Sequence, residues 1–382
     1  MVHDRAVMEQ QVLAGVLGAA VGDAMGVPVE FCSREELRRN PVTGYRRDGT
    51  YHMPAGTWSD DTSMVLATMD SMSRGLDYDD MMRRFVLWQN RADYTATGVT
   101  FDIGIATRKA LHRFENGSVA MTCGGSGEYD NGNGSLMRIL PAVIYAFYGD
   151  NLSQEEQMTI IHNTSSLTHS NPRSLVGCGI YAHVLQEILS GGKDIRGAIA
   201  KAFEYYNQKP AFAKELKYYK RLNEDNFAAL PEDDIPSSGY VVNTLEAALW
   251  CLMNTASYEE CVLKAVNLGD DTDTVAAVAG GLAGCLYGKE SIPAAWEKGL
   301  LNVELLNSYC DAFAASLGKA ITHDVTTGRK KPAEHKIVDM HCHVVPGVDD
   351  GAANLPMALE MLRMEVAQGV KHVACTSHNW TN

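Results

Sequence analysis

Two short acidic loops, about 210 positions apart, contain the side chains of this sequence that are best suited to chemistry. Each loop combines Asp with Ser or Thr, and each stands directly before a predicted helix. If the two loops meet in the fold, several carboxylates converge, and each like-charged pair about 4 Å apart costs about 4 kcal/mol at an effective dielectric near 20. Bound cations would remove that cost. The loops are residues 56–62, which contain Ser59, Asp60 and Asp61, and residues 269–274, which contain Asp271, Asp273 and Thr274.

The oxygen-rich composition of these loops favours hard divalent cations. Carboxylate and hydroxyl oxygens suit Mg²⁺ or Mn²⁺ rather than zinc. A pair of such ions can orient sugar hydroxyls and activate a water molecule. Either loop alone could instead be a simple helix N-cap, because Ser, Thr and Asp accept hydrogen bonds from the first free backbone N–H groups. The shared composition and placement of the two loops favour the metal site.

A glycine-rich stretch over residues 124–135 is a second candidate site. Glycines let the backbone approach a ligand closely, and the N–H groups at a helix start attract anions. The stretch therefore predicts either a pyrophosphate cradle leading into a helix near Leu136 or an ordinary flexible loop. Arg138 could pair with a phosphate or could be a buried structural arginine.

Helices must position these loops. Up to about residue 318, apolar residues recur at three- and four-residue spacing and strand-like alternation is scarce, which predicts an all-α, many-helix domain. Small residues over 14–20 and 276–281 indicate helices whose axes approach closely in a core. A capping box at Ser153 and Glu156 and the Asn171-Pro172 pair mark two helix starts. Further helices are predicted over residues 62–73, 78–90, 103–114, 244–253, 258–267 and 272–287.

Composition and charge exclude several classes of protein. The 382 residues are 46% hydrophobic and 21% charged, unlike a disordered or fibrous chain. A formal net charge of −14 disfavours broad nucleic-acid binding. Nine cysteines without a C-x-x-C pair indicate neither a disulfide framework nor a zinc ribbon. The apolar runs over residues 12–21 and 275–286 are too short to span a bilayer, so we expect a cytoplasmic protein without a membrane segment.

A change of pattern near residue 321 predicts a second, smaller module. We expect a helical domain over residues 1–320, an exposed polar linker over 321–334, and a strand, loop, helix and strand over 335–382. In this last segment His341 and His343 follow a strand as an H-x-H pair, and His378 could add a third metal-binding imidazole. Its 48 residues are too few for a barrel of roughly 200 to 250 residues, so we expect an incomplete α/β segment.

Taken together, the motifs resemble the ADP-ribosylglycohydrolase family, to which dinitrogenase reductase-activating glycohydrolase belongs. The resemblance covers roughly residues 8–318 and, besides the acidic loops, rests on residues 22–31, 133–138, 168–172 and 238–241 in that order. It implies an all-α fold that holds two divalent cations, Mg²⁺ or Mn²⁺. It also implies hydrolysis of the glycosidic bond between ADP-ribose and an acceptor.

The resemblance further implies roles for single residues. Glu30 would assist the leaving group or steer water, with Asp60 and Asp61 completing the catalytic set, although an exposed loop acid is the alternative for Glu30. Asp23 would cap the turn that follows it, and Asp270, where the family often has glycine, would be a neighbour of the site. The implied metal ligands are Ser59, Asp60, Asp61, Asp271, Asp273 and Thr274, and the implied substrate contacts are Asp102, Asn133, Gly134, Ser135, Met137, Arg138, His169, Gly239 and Tyr240.

Three of the implied contacts also have structural interpretations. Asp102 could face the acceptor side chain or cap a helix, His169 could contact ligand or cap a turn, and Tyr240 could stack on adenine or be a surface tyrosine. Ser59 stands where the family often has threonine, which keeps the hydroxyl.

The substrate expected from the resemblance is an ADP-ribosylated protein or a small ADP-ribose conjugate. We favour the arginine linkage because Asp102 could pair with a guanidinium. Serine-linked or small-molecule conjugates and a non-catalytic ADP-ribose binding protein are the alternatives. The C-terminal segment resembles the start of the PHP-domain phosphoesterases, specifically bacterial tyrosine-protein phosphatases, and a phosphoesterase completed by missing chain or a partner is a further alternative.

Overall fold

The computed structural model describes residues 4–319, 321–329, 337–346, 351–367 and 370–375. It divides the chain into two compact units, one over residues 1–330 and the other over residues 331–382. Each unit is described by itself below.

The first unit is built from α-helices, which confirms the predicted all-α class. Its described residues form fifteen α-helices joined by short 3₁₀ turns, and their strand-like pairing is limited to isolated bridges. The helices are α1 (Arg5–Gly26), α2 (Arg34–Arg39), α3 (Asp60–Met72), α4 (Tyr78–Arg91), α5 (Ile105–Glu115), α6 (Leu140–Tyr148), α7 (Gln154–Ser166), α8 (Pro172–Leu189), α9 (Ile195–Asn207), α10 (Pro210–Ala213), α11 (Val241–Met253), α12 (Tyr258–Val266), α13 (Thr272–Tyr287), α14 (Ala294–Gly299) and α15 (Val303–Ser316).

Local capping explains where these helices begin. The Ser153 hydroxyl accepts from the backbone N–H of Glu156 while the Glu156 carboxylate accepts from Ser153 N–H, so the predicted capping box opens α7. Asn171 caps α8 through the N–H of Arg173. The helix expected near Leu136 is different, because residues 136–138 form only a single 3₁₀ turn and α6 begins at Leu140. Pro141 in its first turn suits that later start.

Helices α1 and α13 form the centre of the unit and pack closely along their lengths. Small residues make this possible, as the sequence predicts. A Cβ on Gly22 would lie 2.1 Å from the carbonyl oxygen of Ala276, and one on Gly18 would lie 2.4 Å from that of Gly280. The C-terminal end of α1 therefore lies directly against the N-terminal end of α13, where both helices carry carboxylates.

Helix α1 is longer than its apolar run and, with the following 3₁₀ turn, is long and apolar enough to cross a membrane. However, 94% of its most apolar window is buried inside the unit, as expected for the central helix of a core. The other helices of the unit surround α1, which therefore forms part of the core.

Residues 321–329 belong to the first unit, although the sequence predicts an exposed linker over 321–334. Ile321 and Val325 pack against the core. The Val325 carbonyl accepts hydrogen bonds from the Tyr78 hydroxyl at 2.8 Å and from the Asn163 amide at 3.1 Å. These contacts with α4 and α7 hold the segment against the first unit. Residues 321–329 are therefore not part of an exposed linker.

The described residues of the second unit form two strands and a helix, as predicted. Strands β1 (Ile337–Cys342) and β2 (Val370–Cys375) pair in parallel, and α16 (Leu355–Ala367) connects them and packs on β2. Of the three candidate imidazoles, His378 lies outside the described residues and His341 is described only in its backbone.

Candidate functional site

Asp23 of α1 fixes the first acidic loop. Its carboxylate is completely buried and accepts hydrogen bonds from the backbone N–H groups of Ser59 at 2.9 Å and Thr62 at 3.0 Å, and from the Thr62 hydroxyl at 2.6 Å. Ser59 is also the N-cap of α3, because its hydroxyl accepts from the N–H of Asp61 at 3.2 Å. Asp23 therefore stabilises the start of α3 across the core, whereas the sequence suggests that it caps its own following turn.

The second acidic loop is joined by its backbone to the segment that carries Glu30. The N–H of Phe31 donates to the carbonyl of Asp270 at 2.7 Å, and the N–H of Asp270 donates to the carbonyl of Cys32 at 2.8 Å. Asp270 has a φ of +65°, a conformation that glycine adopts most easily, and its side chain is exposed. It is thus a neighbour of the acidic cluster rather than a member of it.

The two acidic loops meet, as the sequence predicts. The Thr274 hydroxyl lies 3.4 Å from an oxygen of Asp61, across 213 positions of sequence. Carboxylate oxygens of Asp23, Asp61 and Asp273 all lie within 4.8 Å of one another. Oxygens of Glu30, Asp102 and Asp273 do the same, so Asp273 is common to two groups that could each hold a metal ion.

Unpartnered buried oxygens indicate that the acidic residues suit cations. Within the described residues, one oxygen of each of four carboxylates is buried and accepts no hydrogen bond. A buried, unpaired carboxylate oxygen is costly, and a cation is the partner that this all-oxygen chemistry favours. The four oxygens belong to Glu30, Asp61, Asp271 and Asp273.

Burial and mutual repulsion also shift the acidity of these groups. Desolvation raises the pKa of Glu30 to about 9, with the charge of Asp102 adding to the shift. The pKa values of Asp61 and Asp273 are raised well above their ordinary range, first by desolvation and then by neighbouring carboxylates. The pKa of Asp23 rises only to about 6, because its hydrogen bonds to Thr62 and Ser59 oppose the desolvation. Positive charge would reverse these shifts.

A cleft of about 270 Å³ opens beside the acidic residues. Four carboxylates line it, and among the described residues no lysine or arginine does. Its walls come from the acidic loops, from the first turn of α5 and from the glycine-rich loop. The predicted site residues that line it are Glu30, Asp60, Asp102, Asn133, Gly134, Met137, His169, Gly239, Asp271 and Thr274.

Comparison with known proteins shows which family has this fold and these acidic loops. Residues 4–323 match the family model described as ADP-ribosylglycohydrolase. The chain belongs to the ADP-ribosylglycohydrolase family. The resemblance inferred from the motifs is therefore confirmed, together with the all-α fold and the glycohydrolase class. Residues 337–382 match a second model, described as capsular polysaccharide synthesis, CpsB/CapC, which agrees with the PHP-like assignment of that segment.

Relatives of this ADP-ribosylglycohydrolase include proteins with stated substrates. The chain is 36% identical over 286 residues to ADP-ribosylarginine hydrolase Tri1 of Pseudomonas putida (strain GB-1), covering 74% of this chain and 71% of that protein. It is 30% identical over 302 residues to ADP-ribosyl-[dinitrogen reductase] glycohydrolase of Rhodospirillum rubrum, covering 77% and 90%. A solved structure described as an ADP-ribosylglycohydrolase-related protein complex matches with a TM-score of 0.67 and 30% identity, covering 81% and 99%.

Two predicted substrate contacts of this ADP-ribosylglycohydrolase have side chains behind the cleft wall. Ser135 is fully buried, and its hydroxyl accepts a hydrogen bond from the Ser165 hydroxyl at 2.8 Å. Arg138 is also fully buried and donates to the carbonyl of Thr164 and the hydroxyl of Thr168. The structural alternative for Arg138 therefore holds, because a guanidinium inside the core cannot reach a phosphate in the cleft.

Tyr240 stands beside the cleft and is held by Arg173. The buried Arg173 guanidinium donates to the Tyr240 hydroxyl at 3.2 Å and to both oxygens of Glu128 at 2.7 and 3.0 Å. The neighbouring backbone also ties the glycine-rich loop to this region, because Asn133 N–H donates to the Gly239 carbonyl at 3.0 Å. Stacking of Tyr240 on adenine stays a prediction.

Several residues at the cleft had no signal in the sequence. Tyr51 lies beside Glu30 and Asp102, and burial and these two carboxylates raise its pKa. The 3₁₀ turn that carries it is bonded to the Glu30 segment, since the Thr50 hydroxyl donates to the Glu30 carbonyl at 2.7 Å. Ile105 and Tyr129 are exposed at the rim of the cleft. Tyr51 and Ile105 belong to no chemical motif and Tyr129 is not a characteristic residue of the glycine-rich stretch, so only tertiary structure identifies them.

Proposed function

We propose that this chain hydrolyses the bond between ADP-ribose and arginine on ADP-ribosylated protein, with two divalent cations, Mg²⁺ or Mn²⁺, as cofactors. The convergence of two acidic loops, with unpartnered buried oxygens on Glu30, Asp61, Asp271 and Asp273, carries the proposal. The relative named ADP-ribosylarginine hydrolase supports the arginine linkage. The cytoplasm is the proposed location, in agreement with the cysteines, which are free wherever they are described.

The oxygen-rich acidic residues suit divalent cations, and we infer that they bind a pair. Ser59, Asp60 and Asp61 from the first loop and Asp271, Asp273 and Thr274 from the second would hold them. When bound, such ions orient ribose hydroxyls and lower the pKa of a coordinated water. Asp23 stabilises the conformation of the first loop through its hydrogen bonds to the start of α3.

Charge in the cleft favours a cationic acceptor. Glu30 and Asp102 lie together on its wall, and no described lysine or arginine lines it to neutralise them. A guanidinium leaving group would pair with these carboxylates, as arginine and carboxylate commonly do. A serine hydroxyl offers no such charge complementarity. The arginine linkage is therefore the preferred substrate class.

The chain's own groups suit glycosidic cleavage. Such reactions pass through an oxocarbenium-like transition state, with one acid near the departing group and one base near the water. Glu30 lies on the cleft wall, where its carboxyl group would assist the departing nitrogen or steer the attacking water. The remaining carboxylates stabilise the positive charge that develops on the ribose.

Release of free ADP-ribose from defined peptides tests the proposal. Matched peptides carrying ADP-ribose on arginine or on serine are incubated with the 382-residue protein in Mg²⁺, in Mn²⁺ and in EDTA. We expect release from the arginine peptide only with metal. Release from the serine peptide alone would contradict the linkage, and release in EDTA would contradict the role of the cations. Release from neither peptide would favour a small-molecule substrate or a binding protein.

A further inference from the structure

A chain of hydrogen bonds leads from the core of the first unit to the cleft wall. Nη2 of Arg138 donates to Oγ1 of Thr168 at 2.8 Å, and the same oxygen lies 2.8 Å from Nδ1 of His169. The His169 ring lines the cleft, although the residue is 98% buried overall. Arg138 is thus linked to the ligand-facing ring through a single hydroxyl group.

Counting the protons along these hydrogen bonds assigns the tautomer of His169. A guanidinium can only donate, so Arg138 occupies a lone pair of the Thr168 hydroxyl. The hydroxyl proton then has one acceptor among the described residues, which is Nδ1 of His169. In the opposite assignment Nδ1–H would donate to Thr168, and the buried hydroxyl proton would have no acceptor, which is unfavourable for a buried polar group.

Burial, with the charge of Arg138 adding to it, keeps the ring neutral. Burial and the positive charge of Arg138 lower the pKa of His169 to about 3. Within the described residues, Nε and Nη1 of Arg138 have no hydrogen-bond partner, and its guanidinium lies 4.6 Å from the centre of the Phe85 ring. The charge of Arg138 therefore adds to the effect of burial on the pKa of His169, and the charge of Asp130 opposes it.

The opposite edge of the ring faces the glycine-rich loop. A Cβ on Gly134 would lie 2.9 Å from Cε1 and 3.4 Å from Nε2 of His169, and one on Gly132 would lie 3.6 Å from Nε2. Both glycines line the cleft, and Nε2 has no hydrogen-bond partner among the described residues. Side chains at these two positions would crowd this edge of the ring, so glycine keeps it clear.

We propose that Arg138 and Thr168 are positioning residues that hold His169 as the neutral Nε2–H tautomer, so that the ring offers a fixed donor to an acceptor oxygen of the ADP-ribosyl group. The identity of the ligand rests on the function proposed above, whereas the tautomer does not. A histidine free to exchange tautomers would present a donor only part of the time. The buried arginine thus contributes to recognition without touching the ligand.

Nitrogen NMR of the unliganded protein tests the tautomer directly. The full chain is labelled with ¹⁵N-histidine, and the His169 signals are assigned by their loss in His169→Gln. We expect a protonated Nε2 and an unprotonated Nδ1 in the wild type, with no change of form between pH 6 and 8. A protonated Nδ1, or a mixture of the two tautomers, in the wild-type protein would overturn the proposal.

Variants of Thr168 connect the tautomer to ligand binding, measured by calorimetry with ADP-ribose. We expect Thr168→Val to mix the tautomers and to weaken binding about threefold to tenfold, the range for one neutral hydrogen bond. Thr168→Ser keeps the hydroxyl and should restore both properties. Thr159→Val is the matched control, because its hydroxyl bonds to the carbonyl of Glu155 within α7 and takes no part in the chain of hydrogen bonds from Arg138 to His169.

The two measurements separate this inference from the proposed function. Mixed tautomers with unchanged ADP-ribose affinity in Thr168→Val would overturn the role in recognition. An unchanged tautomer in that variant would show that Thr168 does not set the tautomer of His169. Failure of the wild type to hydrolyse either peptide, with the expected tautomer and ADP-ribose binding intact, would overturn the proposed hydrolysis and leave this inference standing.

Discussion

Gly26 of α1 lies directly against the backbone of Asp273 in α13. A Cβ on Gly26 would lie 2.3 Å from Cα and 2.4 Å from N of Asp273, closer than nonbonded atoms approach. Helix α1 carries Asp23 and helix α13 carries Asp273. The two helices can approach this closely because Gly26 has no side chain. This spacing brings carboxylates of the two helices within 4.8 Å of each other.

Gly26→Ala should separate α1 from α13 at the acidic residues. The added methyl meets backbone that cannot move alone, so we expect a loss of about 1–3 kcal/mol in the free energy of unfolding and weaker metal binding. Urea unfolding and Mn²⁺ titration measure the two effects. Gly44→Ala is the control, because a Cβ there meets no atom within 4 Å. Equal behaviour of the two variants would contradict the role of close packing.

Asp61→Asn and Asp273→Asn should each abolish metal-dependent hydrolysis while the helical circular dichroism spectrum stays largely intact. Each removes a charged oxygen that is buried and unpartnered, so we expect turnover to fall at least about 100-fold. Asp270→Asn, in the same loop but exposed and with a φ that asparagine tolerates, should keep nearly full activity. Near-normal turnover in either cluster variant would refute the metal assignment.

Thermal stabilisation by Mg²⁺ should increase as the pH rises. The folded-state pKa of Glu30, about 9, exceeds its ordinary value of 4.5, so its contribution to stability is present below pH 4.5 and is lost as the pH rises toward 9. Cations bind the deprotonated carboxylates and offset that loss, by about 2.7 kcal/mol at a hundredfold excess over Kd. Melting curves at pH 6 and pH 8, with Mg²⁺ and with EDTA, measure the difference. A shift that is larger at pH 6 would have the wrong sign.

Glu30→Gln should reduce kcat more than it reduces the affinity for ADP-ribose. Glutamine keeps the size of the side chain but cannot transfer a proton, so we expect kcat to fall about 100-fold to 10,000-fold. The arginine-linked peptide measures kcat, and calorimetry with ADP-ribose measures the affinity. If kcat stays within a few-fold of the wild type, Glu30 is only a loop acid near the site.

A chain ending at residue 330 should hydrolyse the same substrate at nearly the same rate as the full chain. The acidic residues and the cleft lie in the first compact unit, and residues 321–329 pack there too. The truncation should therefore end after residue 330 and not at residue 320. Peptide hydrolysis by both forms is the measurement. A large loss of activity in the shorter form would show that the C-terminal unit contributes to the site.

Local signals in the sequence predicted many of the helices, although α2, α9, α10, α14 and α15 were not among them. Predicted helix 272–287 agrees with α13 at both ends, and the Ser153 capping box starts α7 where expected. Helix α3 begins two residues before the predicted start, at Asp60, because Ser59 is its N-cap. These features depend on residues within one or two turns of each other, so a single sequence contains what is needed to find them.

The sequence by itself determined the all-α class, the two acidic loops and their suitability for hard cations, because those follow from periodicity and side-chain chemistry. Only the tertiary structure decided that Asp23 supports α3, that Arg138 is buried behind His169 and that Tyr51 stands beside Glu30. Each of these relationships joins residues from separate elements. Their contacts depend on how helices pack, and helix packing is a property of the whole core that no local pattern specifies.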